Sequence, residues 1–366
     1  MLSFYLIWSL SYFTLLWWMG RFWSIKSDKS PNQTFIPKVT LLIPFRNEAK
    51  SIDRLSSNIK KLNYPNLEVL LIDDHSEDIS FELLQESLRK NENVQIVRSE
   101  KTGKKRALEF GVNEAKSQII LCSDADCEFS EFWVEKMVLP FQEPKVQLVA
   151  GTVLTERGAG FLEAFQTLDW ASILLLTNYS FVHQNPLMCS AANLAYRKGA
   201  FEQVNGYEGN REFASGDDEF LLKKIHKEYG RGACLYLTSA ETLVKTKPEP
   251  TWDSLINQRV RWASKWKAHF SFSHALSAAG AFLTQLIWIG SAYLVFLGAK
   301  GIVAFGLVWL IKIAAEKLSL GKVLKMLDAQ PSNISMLQTS LVHPFYVLRV
   351  GIAALSGKFT WKGREN

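Results

Sequence analysis

The sequence predicts an α/β protein in which a doubly wound, mostly parallel sheet is combined with membrane helices. Short apolar runs that suit buried strands alternate three times with helical segments between Val39 and Leu121. Residues 1–20 and residues 268–299 contain no charged side chain, so both are apolar over the length that spans a bilayer. The residues between them have the mixed composition of a soluble domain and are numerous enough to bury a sizeable core.

The strands and helices of the soluble part follow from its apolar runs and from the turn residues between them. The runs predict strands at 39–43, 67–72, 94–97 and 119–121, with Pro44 capping the first. Helices are expected at 49–61, 81–90 and 103–115. Further along, we expect a helix at 131–141, a strand at 146–154, a longer helix at 161–181 and a strand or loop at 190–196.

The apolar segments and the charges beside them predict a multi-pass protein of the cell inner membrane with a cytoplasmic catalytic domain. Residues 1–20 are expected to form a transmembrane helix, and Arg21, Lys26 and Lys29 after it favour a cytoplasmic domain at 38–250. Residues 251–270 suit an amphipathic helix at the membrane surface. Membrane segments are expected within 275–357, at 275–299, 301–315 and 334–356, and Lys312 is expected to snorkel to the head groups. The path of residues 300–366 through the membrane stays open.

The charge pattern also narrows the class of partner. The formal net charge is +6, but no basic stripe with interleaved aromatic residues points to nucleic acid. Lys and Arg instead cluster beside the apolar segments, which favours anionic phospholipid. The four cysteines show no Cys-X-X-Cys spacing, so neither a zinc site nor a disulfide framework is expected.

Polar residues follow three of the predicted strands at the edge where parallel sheets place ligands. Asn47 and Glu48 follow the first strand, and the second ends in an acidic pair, Asp73 and Asp74. The fourth runs into the Asp-X-Asp of Asp124 and Asp126, two oxygen ligands that suit Mg²⁺ or Mn²⁺ on a substrate phosphate. No Gly-X-Gly-X-X-Gly or P-loop sequence occurs, so a dinucleotide fingerprint and a P-loop NTPase are not indicated.

Two later stretches have both a structural and a functional interpretation. Asp217, Asp218 and Glu219 follow Gly216 and open a helical pattern, as a complement to the helix dipole or as a second acidic site. Arg259 and Arg261 lie in the Trp-rich segment 252–270, which suits lipid head groups but also a grip on a pyrophosphate.

Four motifs, in order, resemble those of the inverting, GT-A fold glycosyltransferases of family 2 in their membrane-integrated branch. They are Pro44-Phe45-Arg46-Asn47-Glu48, Asp73-Asp74-His75-Ser76, Asp124-Ala125-Asp126 and Gln258-Arg259-Val260-Arg261-Trp262. Each is weak alone, but all four in this order are specific, and the resemblance covers about residues 38–270.

The resemblance implies a role for each matching residue. The loop with Pro44, Asn47 and Glu48 would bind the donor nucleotide, and Asp73 or Asp74 would read the base of a UDP-like donor. Asp124 and Asp126 would hold Mg²⁺ or Mn²⁺ on the diphosphate. Lys104, in a stretch with one residue more than the family pattern, would touch the donor.

The rest of the implied site lies toward the C terminus. Gln258 and Arg261 would bind the donor diphosphate, and Trp262 would face the acceptor. The family's catalytic base is the Asp of a Glu-Asp pair, but this sequence reads Gly216-Asp217. Asp217 is therefore the first choice of base, and Asp218 is the alternative.

The predicted function is transfer of a sugar from a nucleotide sugar, by inversion, to a lipid or lipid-linked glycan acceptor at the membrane. A processive polysaccharide synthase is the alternative, although a secretory pore usually needs more than about four helices. From another class, a non-catalytic membrane scaffold on the same fold also fits, but the intact acids argue against it. A nucleotidyltransferase would use the same carboxylate-bound cation, but it would not require the segment rich in Trp and Arg at 252–270.

Overall fold

The computed structural model describes residues 1–24, 35–211, 216–263 and 272–356, and the pairs 360–361 and 364–365. They divide into two compact units. We call residues 24–156 with 176–247 the sheet unit, and residues 1–23, 157–175 and 248–366 the helical unit. Of the predicted amphipathic helix, residues 264–270 lie outside the described part of the chain.

The sheet unit contains nine strands and most of the short helices of the described chain. Its strands are β1 (Val39–Phe45), β2 (Leu67–Asp73), β3 (Val94–Arg98), β4 (Ile119–Cys122), β5 (Leu148–Gly151), β6 (Val153–Thr155), β7 (Leu194–Arg197), β8 (Cys234–Leu237) and β9 (Val244–Thr246). Its helices are α2 (Ile52–Lys61), α3 (Ser80–Leu88), α4 (Lys104–Glu114), α5 (Trp133–Val138), α7 (Lys198–Gln203) and α8 (Asp217–Tyr229).

The main sheet has seven strands in the order β3-β2-β1-β4-β7-β5-β8, and β6 pairs with β9 in a second, two-stranded sheet. The first four strands of this order run parallel, as predicted. β7 is antiparallel to both of its neighbours. All residues of β1, β2 and β4 are buried, which explains why these strands are continuous apolar runs rather than alternating patterns.

β1 continues through Pro44 to Phe45, two residues beyond its predicted end at Ile43. The backbone oxygen of Leu42 accepts from Ser123 N at 3.2 Å, so the backbone polar groups of Leu42 and Pro44 point toward β4. Pairing with β4 ends at Leu42 and Cys122, so the missing N–H of Pro44 falls where no ladder bond is required. Pro44 therefore ends the β4 side of the ladder without ending the strand.

The single strand predicted at 146–154 is two strands in different sheets. β5 and β6 are separated by Thr152, whose backbone oxygen accepts from Val244 N at 3.0 Å and from Asn193 Nδ2 at 2.8 Å. The chain leaves the main sheet at this residue because its next partner is β9. The predicted strand or loop at 190–196 becomes a 3₁₀ turn followed by β7.

The helical unit consists mainly of helices, most of them long and apolar. They are α1 (Leu2–Arg21), α9 (Trp252–Ala263), α10 (Phe272–Gly290), α11 (Gly298–Met326) and α12 (Asn333–Ser356), with residues 161–175 of α6 (Phe161–Val182). Among the described residues, two stretches are long and apolar enough to cross a membrane, Leu2–Arg21 and Ala279–Met326. The second is interrupted by a 3₁₀ segment at Ser291–Leu297, so the predicted runs 275–299 and 301–315 have different bounds.

Lys312 does not extend to a head-group region as predicted; it is enclosed among helices. Its side chain is 1% exposed, and its ammonium pairs with Glu316 at 2.6 Å. It also donates to the backbone oxygen of Ser340 at 2.9 Å, and Tyr12 donates to Glu316 at 3.0 Å. A buried charge needs partners of this kind, so the polar cluster joins α1, α11 and α12.

The division into units also differs from the predicted domain at 38–250. Residues 157–175 belong to the helical unit, because the first part of α6 packs with α9 and α12. Phe165 of α6, Leu255 of α9 and Tyr346 of α12 form one buried cluster.

The contact of α4 with the sheet provides a stability test. A Cβ on Gly111 would collide with Ile72 Cδ1 and come within 3.1 Å of Leu42. We expect Gly111→Val to destabilise the protein by about 1–3 kcal/mol, because a well-packed core resists added volume. Thermal unfolding of the purified protein in detergent measures the change.

Gly199→Ala in α7 is the matched control, since a Cβ at Gly199 meets nothing within 4 Å. It should be neutral or stabilising by up to about 1 kcal/mol, the helix-propensity difference between Gly and Ala. Equal unfolding temperatures for both variants would contradict the packing of α4 against β1 and β2.

Candidate active site

The end of β4 carries two carboxylates on a tight turn. Ser123 Oγ donates to the backbone oxygen of Ala192 at 3.0 Å, which fixes the chain as it leaves the strand. Cys127 N then donates to the backbone oxygen of Asp124 at 3.2 Å and closes the turn. Asp124 and Asp126 are both partly exposed on this turn, and Asp126 Oδ2 accepts from Thr246 Oγ1 at 3.4 Å.

Lys104 lies between the carboxylates of two different elements. Its Nζ is 2.7 Å from Asp124 Oδ1 and 3.2 Å from Asp217 Oδ2. Asp124 follows β4 and Asp217 is the first residue of α8, so one ammonium links the predicted metal site with the predicted base. Burial lowers the pKa of Lys104, but Asp124 and Asp217 outweigh burial and hold that pKa above its usual value. The ammonium therefore stays charged at neutral pH.

The start of α4 sets the position of Lys104. Gly103 precedes it with a backbone φ of 119°, a conformation that favours glycine. The Gly103 N–H donates to Asp74 Oδ1 at 2.5 Å. The next residue, Lys105, is buried and donates to the backbone oxygen of Asn210 at 2.6 Å. Asp74 therefore holds the turn from which Lys104 extends.

The two acids considered as bases have different surroundings. Asp217 is 6% exposed, and its carboxylate lies near Lys104. It follows Gly216, whose φ of 89° allows α8 to begin directly at Asp217. Asp218 Oδ2 accepts from Ala191 N at 3.2 Å and its Oδ1 accepts from Glu219 N at 2.7 Å. The backbone contacts of Asp218 fit a role at the helix start, and the geometry favours Asp217 for chemistry.

The acids after β2 have structural contacts within the sheet unit. Asp73 is fully buried; it accepts from Arg98 Nε at 2.8 Å and from Ser76 N at 2.9 Å. Asp74 is 3% exposed and holds Gly103, as described above. Neither carboxylate lies open at the surface, so the structure shows both shaping the loops at the sheet edge.

The loop after β1 is packed against the loop after β2. Asn47 Oδ1 accepts from Glu77 N at 2.8 Å, and Glu48 N donates to Ser80 Oγ at 2.8 Å. Arg46, which the motif left without a role, donates to the backbone oxygens of Asp74 and His75, both at 2.9 Å. The predicted donor loops therefore form one hydrogen-bonded edge of the sheet unit.

The turn after β4 fits a hard divalent cation that also binds a substrate. Among the described residues, no group of three or more His, Cys, Asp or Glu side chains is arranged to enclose a metal. Mg²⁺ and Mn²⁺ bind through one or two carboxylates when substrate phosphates and water complete the shell. Asp124 and Asp126, partly exposed on one turn, supply such carboxylates.

Gln258, Arg261 and Trp262 belong to the helical unit and lie on α9. Gln258 Nε2 donates to Glu249 Oε1 at 2.7 Å, and its amide oxygen accepts from Arg259. Arg259, weighed above as a grip for pyrophosphate, is 6% exposed and donates from Nε to Asp169 Oδ2 at 2.9 Å. Its guanidinium lies 4.2 Å from the centre of the Trp262 ring. Arg259 is thus held inside the helical unit.

Sequence reasoning missed Asp169, although a signal was present. Asp169 is the only charged residue between Ala164 and Val182 of an otherwise apolar helix. Isolated charges in such helices need a buried partner. The partner, Arg259, is distant in sequence, and no periodicity connects the two residues.

The comparisons with known proteins concern the family and the fold. Residues 40–204 match the model described as glycosyl transferase family 2. The poly-β-1,6-N-acetyl-D-glucosamine synthase of Staphylococcus aureus (strain COL) is 24% identical over 250 residues, which cover 66% of this chain and 57% of that protein. The Staphylococcus epidermidis synthase is 25% identical over 248 residues, with 64% and 56% covered. The match thus spans little more than half of these relatives.

A solved structure with similar extent supports the fold. The mannosyltransferase PcManGT from Pyrobaculum calidifontis, in complex with GDP-Man and Mn²⁺, superposes with a TM-score of 0.59. It is 18% identical in sequence, and the superposition covers 97% of both chains. At this level of identity the likeness shows the fold alone.

The turn at Gly103 allows the position of Lys104 to be tested. A Cβ on Gly103 meets nothing within 4 Å, so Gly103→Ala strains only the backbone, by about 1–3 kcal/mol. We expect a loss of transfer activity of about 10-fold or more, because a shift near 1 Å at a site can cost far more than the strain itself. Turnover and unfolding temperature are measured together.

Gly230→Ala is the control for that strain. Gly230 ends α8 with φ 73°, and its Cβ position is equally open. It should lose similar stability and keep its activity. Similar activity losses in both variants would show that general destabilisation, not the position of Lys104, is responsible.

Proposed function

We propose that this chain is a family 2 glycosyltransferase, because residues 40–204 match that family's model, and that it transfers a sugar from a nucleotide sugar to a lipid-linked or glycan acceptor at a membrane. The observation that carries the proposal is the convergence of Lys104, Asp124 and Asp217 at the end of β4. This arrangement supports a proposal in which Asp217 removes a proton close to carboxylates that hold a cation.

Asp217 is the proposed base. Its carboxylate takes the proton of an acceptor hydroxyl while that oxygen forms a bond to the anomeric carbon of the donor sugar. The bond from that carbon to the diphosphate breaks on the opposite face, so the configuration inverts and a nucleoside diphosphate leaves. The short contact with Lys104 favours Asp217 over Asp218 as the residue that faces the reaction.

Asp124 and Asp126 are the proposed ligands of Mg²⁺ or Mn²⁺. A bound cation supplies neutralisation of charge on the leaving diphosphate. Lys104 contributes a second positive charge beside Asp124, and we propose that it also contacts the donor phosphates. The loop with Pro44, Asn47 and Glu48, together with Asp73 and Asp74, forms the proposed edge for the nucleoside.

The helical unit carries the other proposed contacts. Gln258 and Arg261 on α9 are assigned to the donor diphosphate, and Trp262 is assigned to the acceptor. Arg261 suits the diphosphate because a planar guanidinium binds phosphate oxygens in pairs. These assignments rest on the motif resemblance.

The acceptor is the least constrained part of the proposal. The apolar helices favour a multi-pass membrane protein with a cytoplasmic catalytic domain and an acceptor that lies in the bilayer. The second candidate is a processive polysaccharide synthase, which the identity with poly-β-1,6-N-acetyl-D-glucosamine synthases favours. A UDP-linked donor is proposed from the motif resemblance, through Asp73 and Asp74.

The choice of base gives a direct prediction. We expect Asp217→Asn to lower kcat about 10³-fold with nucleotide-sugar affinity retained, because general bases contribute roughly 10²–10⁴-fold. Asp218→Asn should cost far less, since an amide oxygen can still accept from Ala191 N. Steady-state kinetics and donor binding by calorimetry separate the two effects. A larger loss in the Asp218 variant would reassign the base.

The metal and the product are tested with radiolabelled donors. Membranes that contain the protein are incubated with UDP-N-acetylglucosamine, UDP-glucose or GDP-mannose, with Mn²⁺, Mg²⁺ or EDTA. We expect transfer with a divalent cation, and its loss in EDTA and in Asp126→Asn, because the diphosphate then lacks its counter-charge.

The distribution of the label distinguishes the two candidate functions. Label in the organic phase identifies a lipid-linked acceptor, and label in a long water-soluble polymer identifies a polysaccharide synthase. Transfer that persists in EDTA would contradict the metal assignment. Failure of the purified protein to bind any nucleotide sugar would contradict the proposed function.

A further inference from the structure

The helical unit contains an ion pair whose position is hard to explain by stability alone. Asp169 of α6 and Arg259 of α9 are each 6% exposed, and Arg259 Nε donates to Asp169 Oδ2 at 2.9 Å. Two well-packed apolar side chains at such positions are usually as stable as a buried ion pair, or more so. We therefore looked for a role of this ion pair other than stabilising the helices.

Asp169 is held as a carboxylate by contacts from two further elements. His343 of α12 lies 3.3 Å from Asp169 Oδ1, while Arg259 occupies Oδ2. Burial raises the pKa of Asp169, but Arg259 and His343 outweigh burial and bring that pKa below its usual value. Asp169 thus provides a fixed negative charge where α6, α9 and α12 meet.

Arg259, held in place by Asp169, in turn contacts the ring of Trp262. Its guanidinium lies 4.2 Å from the centre of the Trp262 ring and 5.4 Å from that of Trp170. The two indoles meet edge to face, with centroids 5.3 Å apart and planes at 70°. Gln258 accepts from the same guanidinium. The Arg259 guanidinium lies over the Trp262 ring and the Trp170 ring packs against it, so the indole has a defined orientation.

We propose that Asp169 and Arg259 are positioning residues that hold the Trp262 indole in place for the acceptor. The inference rests on the proposed function, which assigns Trp262 to the acceptor. Neither Asp169 nor Arg259 touches the reacting atoms. Their effect is on the affinity for the acceptor, with the affinity for the nucleotide sugar and the chemical step left intact.

Arg259→Lys is the first test because it keeps the positive charge for Asp169 and removes the planar face that covers Trp262. We expect the acceptor KM to rise roughly 5-fold to 10-fold, the size typical of one cation–π contact. The donor KM and kcat should stay within about 2-fold. Asp169→Asn should act in the same direction, and the double variant should be no worse than the more affected single variant, because both act through one contact.

Asp253→Asn is the matched control on the same helix. Asp253 pairs with Arg349 at 3.4 Å, but both side chains are well exposed, so the acceptor KM should not change. An unchanged acceptor KM in folded Arg259→Lys, or a fall in kcat alone, would overturn the inference. Equal rises in donor and acceptor KM would also overturn it and indicate a general distortion of α9.

A second measurement does not depend on activity. Hydroxyl-radical footprinting with mass spectrometry reports the oxidation rate of Trp262, which should rise about 2-fold or more in Arg259→Lys as the covering guanidinium is lost. The rate should be unchanged in Asp253→Asn. If the wild-type protein transfers no sugar, the proposed function fails, while this rate still decides whether Arg259 holds the indole. An unchanged rate would overturn the positioning role.

Discussion

The arrangement of the acids depends on the ion pairs made by the ammonium group of Lys104. Its contacts with Asp124 and Asp217 join the end of β4 to the start of α8, two segments that belong to distant parts of the sequence. Two carboxylates at such distances from one point repel each other unless a cation lies between them. The turn that presents Lys104 depends in turn on Asp74, which binds Gly103 N. Asp74, which follows β2, therefore influences Asp124, which follows β4, through the turn at the start of α4.

Much of the sheet could be predicted because parallel strands buried on both faces leave an unambiguous apolar signal. The edge where the acids gather followed from the same topology. Prediction was weaker where tertiary contacts override local pattern. The break at Thr152 depends on Asn193, a buried side chain that binds backbone oxygens of two other segments, and nothing near residue 152 reveals it. Pro44 was predicted to end β1, because a proline is tolerated within a strand only where its missing N–H has no ladder partner. Here that depends on where β4 stops pairing, which the sequence does not reveal.

The motifs predicted which side chains lie at this edge of the sheet unit, but not the contacts that each of them makes. Asp73 and Asp74 lie at the expected edge, yet the structure gives them backbone and Arg98 contacts that shape the loops. Arg259 occupies a variable place in its motif, and sequence alone left it between lipid and pyrophosphate. Its choice of Asp169 is a matter of burial, since a guanidinium enclosed among apolar helices is stable only beside an opposite charge. Residue type indicates possible chemistry, while burial determines which partner is used.

The cluster around Glu316 has a consequence for how the chain matures. Tyr12 binds Glu316 across 304 residues of sequence, and Lys322 donates to the backbone oxygen of Gly20 across 302. At synthesis rates of 5–20 residues per second, the interval between making α1 and making its partners is about 15 to 60 s. During that interval α1 lacks its partners on α11, and the residues of the sheet unit are made first. Glu316 and Lys322 are made only after the whole sheet unit, so closure of the helical unit around α1 follows synthesis of the sheet unit.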